Sequence, residues 1–201
     1  MLSDLTCALA DHGLAVKVVT SRSSYDDPDL EFPARATVNG VEIHRVWTSR
    51  LGRASLVKRA VDYLTFYLSA SAAIVRFAGR GDVVVCKTDP PLLSVALVPL
   101  ARLKAATPAN WLQDIFPEVA VRLGLPIPAL VAHLLRALRN WSLRRADFNV
   151  TISEGMAEYL EGQGVPGNRI QVVHNWSDGV EPVLLAENKL RREWGLTDRF
   201  V

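Results

Sequence analysis

A chain of 201 residues, 49% apolar and 22% charged, can bury a sizeable core, which excludes a disordered segment and suits one large domain or one and a half. Its 23 basic and 21 acidic side chains leave a net charge of +2, too small to argue for a nucleic-acid partner. Cys7 and Cys86 are far apart in apolar segments and read as free thiols of a reducing compartment, while the four scattered histidines show no metal-ligand spacing.

No secretory leader is expected, because Met1 leads straight into an amphipathic segment carrying Asp4 and Asp11. Leu2, Leu5 and Leu9 recur at helical spacing, with Gly13 as the stop. The β-branched run 15–20 predicts a buried parallel strand. Helix, turn and strand make half of a βαβ unit, so the chain reads as beginning after its own first strand. Residues 21–35 are polar and proline-punctuated, a loop. Asn39-Gly40 between two alternating runs predicts a hairpin at the sheet edge.

From 50 to 59, Arg50, Arg53, Lys58 and Arg59 interleave with Leu51, Leu56 and Val57. This is either a solvated basic turn or a surface that touches anionic lipid head groups. A helix should follow through Phe77, burying Tyr63, Phe66, Tyr67 and Ile74. The longest uncharged stretch, 63–75, is too short to span a bilayer.

Asp82 to Cys86 predicts a central strand ending in Lys87-Thr-Asp-Pro-Pro91, where two prolines forbid continuation. The helix 92–103 is apolar nearly all round and should be deeply buried. Ala109 to Leu112 form the next strand, opening the stretch Trp111-Leu-Gln-Asp-Ile-Phe-Pro-Glu118. Pro117 sits where a helix would begin, since the first turn needs no proline N–H. Asp114 and Glu118 therefore lie where a strand's C-terminal end gives way to a helix, the edge at which open α/β sheets bind ligands. Trp111 and Phe116 would add an aromatic rim. Structurally, Asp114 would instead cap the helix and Glu118 favour its positive end. Thr88 and Asp89 occupy a second strand-end loop on the same side.

A helix to about Arg144 carries Leu130, Leu134, Leu138 and Trp141 on one face and several arginines on the rest. Another strand covers 147–152, and Ser153 caps the helix 154–161. That helix start offers N–H groups to a phosphate or carboxylate, with Glu154 competing for the same field. The last strand, 170–174, leads to Asn175-Trp-Ser-Asp178, then a loop to 188, a short helix to Gly195, and Phe200-Val201, which read as the start of a new strand. The expected fold is α/β: a Rossmann-like, doubly wound, mainly parallel sheet lacking its first strand. No Gly-x-Gly-x-x-Gly or Walker loop occurs.

Several segments in this order resemble the N-terminal domain of a family 4 glycosyltransferase of the GT-B fold, of the bacterial capsule, O-antigen and colanic-acid type. They are Ala10-Asp-His-Gly13, Gly40-Val-Glu-Ile-His-Arg-Val46, Thr88-Asp-Pro-Pro91, Gln113-Asp-Ile-Phe-Pro-Glu118, Arg145-Ala-Asp147, Ser153-Glu-Gly-Met156 and Val173-His-Asn-Trp-Ser-Asp178. The resemblance implies retaining, hexosyltransferase-type transfer from a UDP- or GDP-linked donor in surface polysaccharide synthesis, with no essential metal or other cofactor. It implies an acceptor-side domain over 1–178, with 179–201 a linker and the start of a C-terminal donor-binding domain supplied in cis or in trans. The acceptor would be a glycan or a polyprenyl-diphosphate-linked sugar at the inner face of the cytoplasmic membrane, which Arg50, Arg53, Lys58 and Arg59 would touch. Asp114 and Glu118 would act on the acceptor hydroxyl. Thr88, Asp89, Trp111, Ser153, Glu154, Asn175 and Trp176 would line the substrate cleft, with Trp176 stacking on a sugar or packing between domains. The chain by itself is expected not to catalyse transfer and to be poorly soluble. The competing expectation is a non-catalytic Rossmann-like binding module.

Overall fold

The computed structural model describes residues 2–23, 30–52, 55–176 and 189–196. Four parallel strands, β4 (Val83–Lys87), β5 (Thr107–Trp111), β6 (Phe148–Thr151) and β7 (Ile170–Val172), lie side by side in chain order. Between them run α3 (Leu93–Leu103), then α4 (Glu118–Arg122) with α5 (Ala129–Arg145), then α6 (Glu154–Gly162). A parallel neighbour requires a crossover, so the strand C-termini and the loops after them line one edge of the sheet. This is the Rossmann-like α/β arrangement that the alternating sequence predicts.

The core is built from the buried faces of these elements. Val84 and Cys86 of β4 meet Leu93, Leu97 and Ala101 of α3. On the other side Leu112, Leu143, Leu160 and Ile170 pack together, with Leu143 and Leu160 almost wholly enclosed. Truncating either leucine to alanine should cost about 2–5 kcal/mol.

One expectation is corrected. The strands form two sheets, not one, because β1 (Lys17–Ser21), β3 (Val41–Val46) and β2 (Arg35–Val38) make a separate mixed sheet in the order β1-β3-β2. β1 runs parallel to β3, and the hairpin β2–β3 turns at Asn39 and Gly40, both with positive φ, as a type I′ turn demands. β2 is an edge strand of this sheet, so the hairpin lies at an edge, as predicted. The long helix α2 (Leu56–Phe77) joins the two sheets, since Phe66, Tyr67 and Ile74, with Val19 of β1, pack on the same cluster as Val84 and Cys86. Alternation identifies the faces of a strand but not its lateral neighbours, which is why the split left no mark on the sequence.

Two helices bury less than their patterns suggest. α1 (Leu2–Asp11) encloses no residue fully. On α5 the leucine stripe faces outward: Leu130 is 81% exposed and Leu134 58%, whereas Ala132, Arg139, Ser142 and Leu143 face the core. Ser142 fits against α3, with its Oγ 3.0 Å from that of Ser94, and Arg139 is drawn inward by a carboxylate. Those specific partners outweigh the apolar stripe. The expected strand at 200–201 and the loop at 179–188 lie outside the described residues; α7 (Lys189–Glu193) is the helix expected near 190.

Candidate functional site

At the C-terminal ends of β4 and β5 the two following loops meet. The Gln113 backbone N–H donates to Thr88 Oγ1 at 3.4 Å, tying one to the other. Beneath them lies a small cavity of about 30 Å³, lined by Cys86, Thr88, Asn110, Asp114, Phe116 and Arg139 among others. Its walls are apolar and its polar groups few, the usual composition of a ligand pocket. The volume holds a water or two, or one hydroxyl-bearing arm of a larger molecule.

The polar floor is strictly ordered. Asn149, wholly buried on β6, donates from Nδ2 to the carbonyls of Leu143 at 3.1 Å and Arg169 at 3.4 Å. Its Oδ1 must therefore accept, and Asn110 Nδ2 donates to it at 2.9 Å. Asn110 Oδ1 is left buried with no partner among the described residues.

Arg139 is the other half of the floor. Its side chain is 7% exposed and carries a full charge. Nη1 donates to Glu118 Oε2 at 2.5 Å and to the Phe116 carbonyl at 3.0 Å, and Nε to Asn140 Oδ1 at 3.0 Å. Glu118 Oε1 accepts from Arg136 Nε at 3.1 Å and from Tyr159 Oη at 2.6 Å. Burial by itself would raise the Glu118 pKa, but the bonds from Tyr159 and Arg139 outweigh it and hold the carboxyl below its ordinary value. Burial and the bond to Glu118 push the Tyr159 phenol the other way. Arg139 Nη2 remains buried and without a partner among the described residues. One unsatisfied acceptor and one unsatisfied donor thus belong to side chains lining a single cavity.

The predicted site residues divide. Thr88 and Asp114 line this cavity, and Asp114 is exposed with no partner among the described residues. Glu118 stands behind the cavity wall, its oxygens occupied by Arg136, Arg139 and Tyr159. Asp89 is exposed beside the loop but does not line the cavity. Trp111 is not at the rim: it is 4% exposed, with Lys87 Nζ 5.0 Å from its ring and Trp176 stacked on it at 5.9 Å and 7°. Trp176 thus packs within this domain. Ser153 caps α6, its Oγ accepting from the Met156 N–H at 3.3 Å, and Glu154 points to solvent in the first turn. Asn175 is exposed near Trp176. Asn110 and Arg139 were missed as site residues. The available signals were an asparagine inside an otherwise apolar strand and an arginine in register with the buried face of α5.

In the basic stretch, Arg50 pairs with Glu31 at 2.7 Å and Arg59 donates to Tyr63 Oη at 2.8 Å. Asp62 folds the chain around it, accepting from Ser49 Oγ and from the N–H groups of Leu51 and Gly52. Lys58 is exposed, and Arg53 lies outside the described residues. Along α2, Val57, Val61, Leu64 and Leu68 form an exposed apolar stripe at helical spacing. No helix among the described residues is long and apolar enough to cross a membrane, and no three His, Cys, Asp or Glu there are grouped to hold a metal.

Comparison with known proteins agrees with the sequence resemblance at its coarser level. No curated protein matches the chain. The solved structure of HepE from Anabaena in complex with UDP is similar at 13% identity and a TM-score of 0.48, covering 81% of this chain. The chain spans 39% of the length of that protein. The family model described as a glycosyl transferase 4-like domain matches residues 1–176, so the chain belongs to that glycosyltransferase family.

Proposed function

We propose that this chain is the acceptor-side half of a retaining, hexosyltransferase-type glycosyltransferase of the GT-B fold, which moves a sugar from a UDP- or GDP-linked donor to a glycan or lipid-linked acceptor in surface polysaccharide synthesis. Family membership supports the reaction class. The observation that carries the acceptor role is the pair of orphaned polar atoms, Asn110 Oδ1 and Arg139 Nη2, belonging to two residues of one cavity. A hydroxyl accepts one hydrogen bond and donates another, so a sugar hydroxyl answers both atoms at once, where an anion or an ammonium answers one.

In this reading Asp114, unencumbered at the cavity mouth, orients or deprotonates the acceptor hydroxyl. Glu118 is a positioning residue that holds Arg139, because its oxygens already accept three charged or hydroxyl donors. Thr88 braces the mouth. The nucleotide is gripped by a separate donor-binding domain, in cis or in trans, and no metal is required.

The exposed stripe on α2, with Lys58 and Arg59 beside it, supports peripheral contact with an anionic membrane on the cytoplasmic side. The deciding experiment is Asp114→Asn in the enzyme reunited with its donor-binding domain. A fall in kcat of about 10²–10⁴-fold with little change in donor KM is expected for a general base. Unchanged turnover would sink the assignment.

A further inference from the structure

A second concavity lies away from the strand-end cavity, between the β2–β3 hairpin and the C-terminal half of α2. It is an open groove of about 390 Å³ whose lining residues include Ala72, Ala73 and Phe77 with Arg22, Arg35, Arg45 and Arg76. Local structure explains why three of these arginines, Arg22, Arg35 and Arg76, are left to the groove. Arg35 and His44 are direct cross-strand partners and so share a face of the hairpin. Arg22 donates through Nε to the Arg45 carbonyl at 3.2 Å, whereas Arg45 turns its guanidinium away from the groove, over the Phe32 ring at 5.2 Å and onto the Pro33 carbonyl at 3.0 Å. Arg76 projects from the last turn of α2 over Phe77, 5.8 Å from its ring. The small side chains of Ser69, Ala72 and Ala73 leave the space between helix and sheet open.

The charge is unbalanced. Among the described residues none of these guanidiniums pairs with a carboxylate, and Glu42, the acid of the hairpin, faces His44 at 3.3 Å. Three like charges around a concave, partly apolar surface repel one another and focus a positive potential into the groove. Arginine suits such a site when the occupant is a phosphate, whose oxygens accept two parallel N–H bonds from one guanidinium.

We infer that this groove binds a phosphate group, with the apolar or ring portion of the ligand lying over Ala72, Ala73 and Phe77. The inference stands apart from the acceptor cavity and would survive the failure of that assignment. A free phosphate ester and a lipid head group offer the same chemistry, and the test separates them.

Arg35 and Arg76 are exposed and their side chains make no hydrogen bond among the described residues, so Arg35→Gln with Arg76→Gln should leave folding intact. The control removes the same charge elsewhere, through Arg80→Gln with Arg122→Gln, both exposed. Each protein is titrated with inorganic pyrophosphate by calorimetry, and its co-sedimentation with phosphatidylcholine vesicles containing phosphatidylglycerol is measured. Saturable 1:1 pyrophosphate binding, weakened at least about tenfold in the groove variant and within about twofold of native in the control, supports a free phosphate ligand. Vesicle binding lost only in the groove variant, with no pyrophosphate binding, supports a lipid phosphate. Equal loss in both variants, or no binding in either arm, overturns the site.

Discussion

Asn110 on β5 and Asn149 on β6 face each other across the centre of the parallel sheet, Nδ2 to Oδ1 at 2.9 Å, and neither amide is free to flip. Asn149 is anchored by the carbonyls of Leu143 and Arg169, and this fixes which atom of Asn110 is left without a partner. The orphaned acceptor on Asn110 is therefore set from the neighbouring strand, by the chain leaving α5 and the turn before β7.

Asn149→Ala should cost about 2–3 kcal/mol in urea unfolding, since it removes three bonds, two of them buried, at about 1 kcal/mol each. Asn149→Asp should cost more, because a carboxylate cannot donate to the two carbonyls. Equal stability of the aspartate variant and the native chain would show that the amide direction is not enforced.

Glu118 makes the domain acid-sensitive in a predictable direction. Its folded pKa lies below the ordinary value of 4.5, so its contribution to stability is complete above that value and is lost as the pH falls below it through the folded pKa. Glu118→Gln should flatten the acid limb of a stability–pH curve while lowering the plateau at neutral pH. Glu118→Ala should cost about 2–4 kcal/mol at pH 7, by leaving the Arg139 charge buried and uncompensated. An unchanged acid limb in Glu118→Gln would remove this carboxylate from the account.

Tyr159 is coupled to that pair. Tyr159→Phe deletes the 2.6 Å bond to Glu118 Oε1 and should cost about 1–2 kcal/mol. In a double-mutant cycle with Glu118→Ala the double variant should lose less than the sum of the two single losses, because both substitutions remove the same bond. Strict additivity would mean that the phenol and the carboxylate do not interact in solution.

How much of this was legible in the sequence follows from what each signal measures. Asn39-Gly40 predicted its hairpin because a type I′ turn needs positive φ at both positions, a local demand met locally. Ser153 predicted its cap for the same reason. The strand-end placement of Thr88 and Asp114 followed from the alternation of strands and helices. The outward turn of Leu130 and Leu134 did not, because periodicity marks an apolar face without saying what will cover it. Nor did the inward turn of Arg139, which depends on Glu118 and Tyr159 from two other elements. Trp111 read as a rim residue because an aromatic at a strand end can lie either way; its burial comes from Trp176, 65 residues on.

The two thiols should differ sharply in reactivity. Burial pushes the Cys86 pKa up to about 12 and leaves it 2% exposed, whereas Cys7 is only half-buried on α1. Alkylation proceeds through the thiolate, so iodoacetamide at pH 8 should label Cys7 and spare Cys86 in the folded chain. Denaturant should make both react. Labelling of Cys86 under native conditions, read by peptide mass, would mean that the α3–β4 core opens readily.

The hairpin offers the sharpest separation of strain from packing. At Gly40 φ is +77°, and a Cβ added there would lie 3.5 Å from Ala10 Cβ, an ordinary contact. Gly40→Ala should therefore cost only the backbone term, about 1 kcal/mol or somewhat more, with no penalty from a clash. Asn39→Gly should be nearly neutral or mildly stabilising at the same turn, since Asn39 already holds φ at +48° and glycine adopts that region more freely. If Gly40→Ala were as stable as the native chain, the turn would have to have changed type. The β2–β3 register that places Arg35 opposite His44 would then shift with it, a change visible in cross-strand amide contacts by NMR.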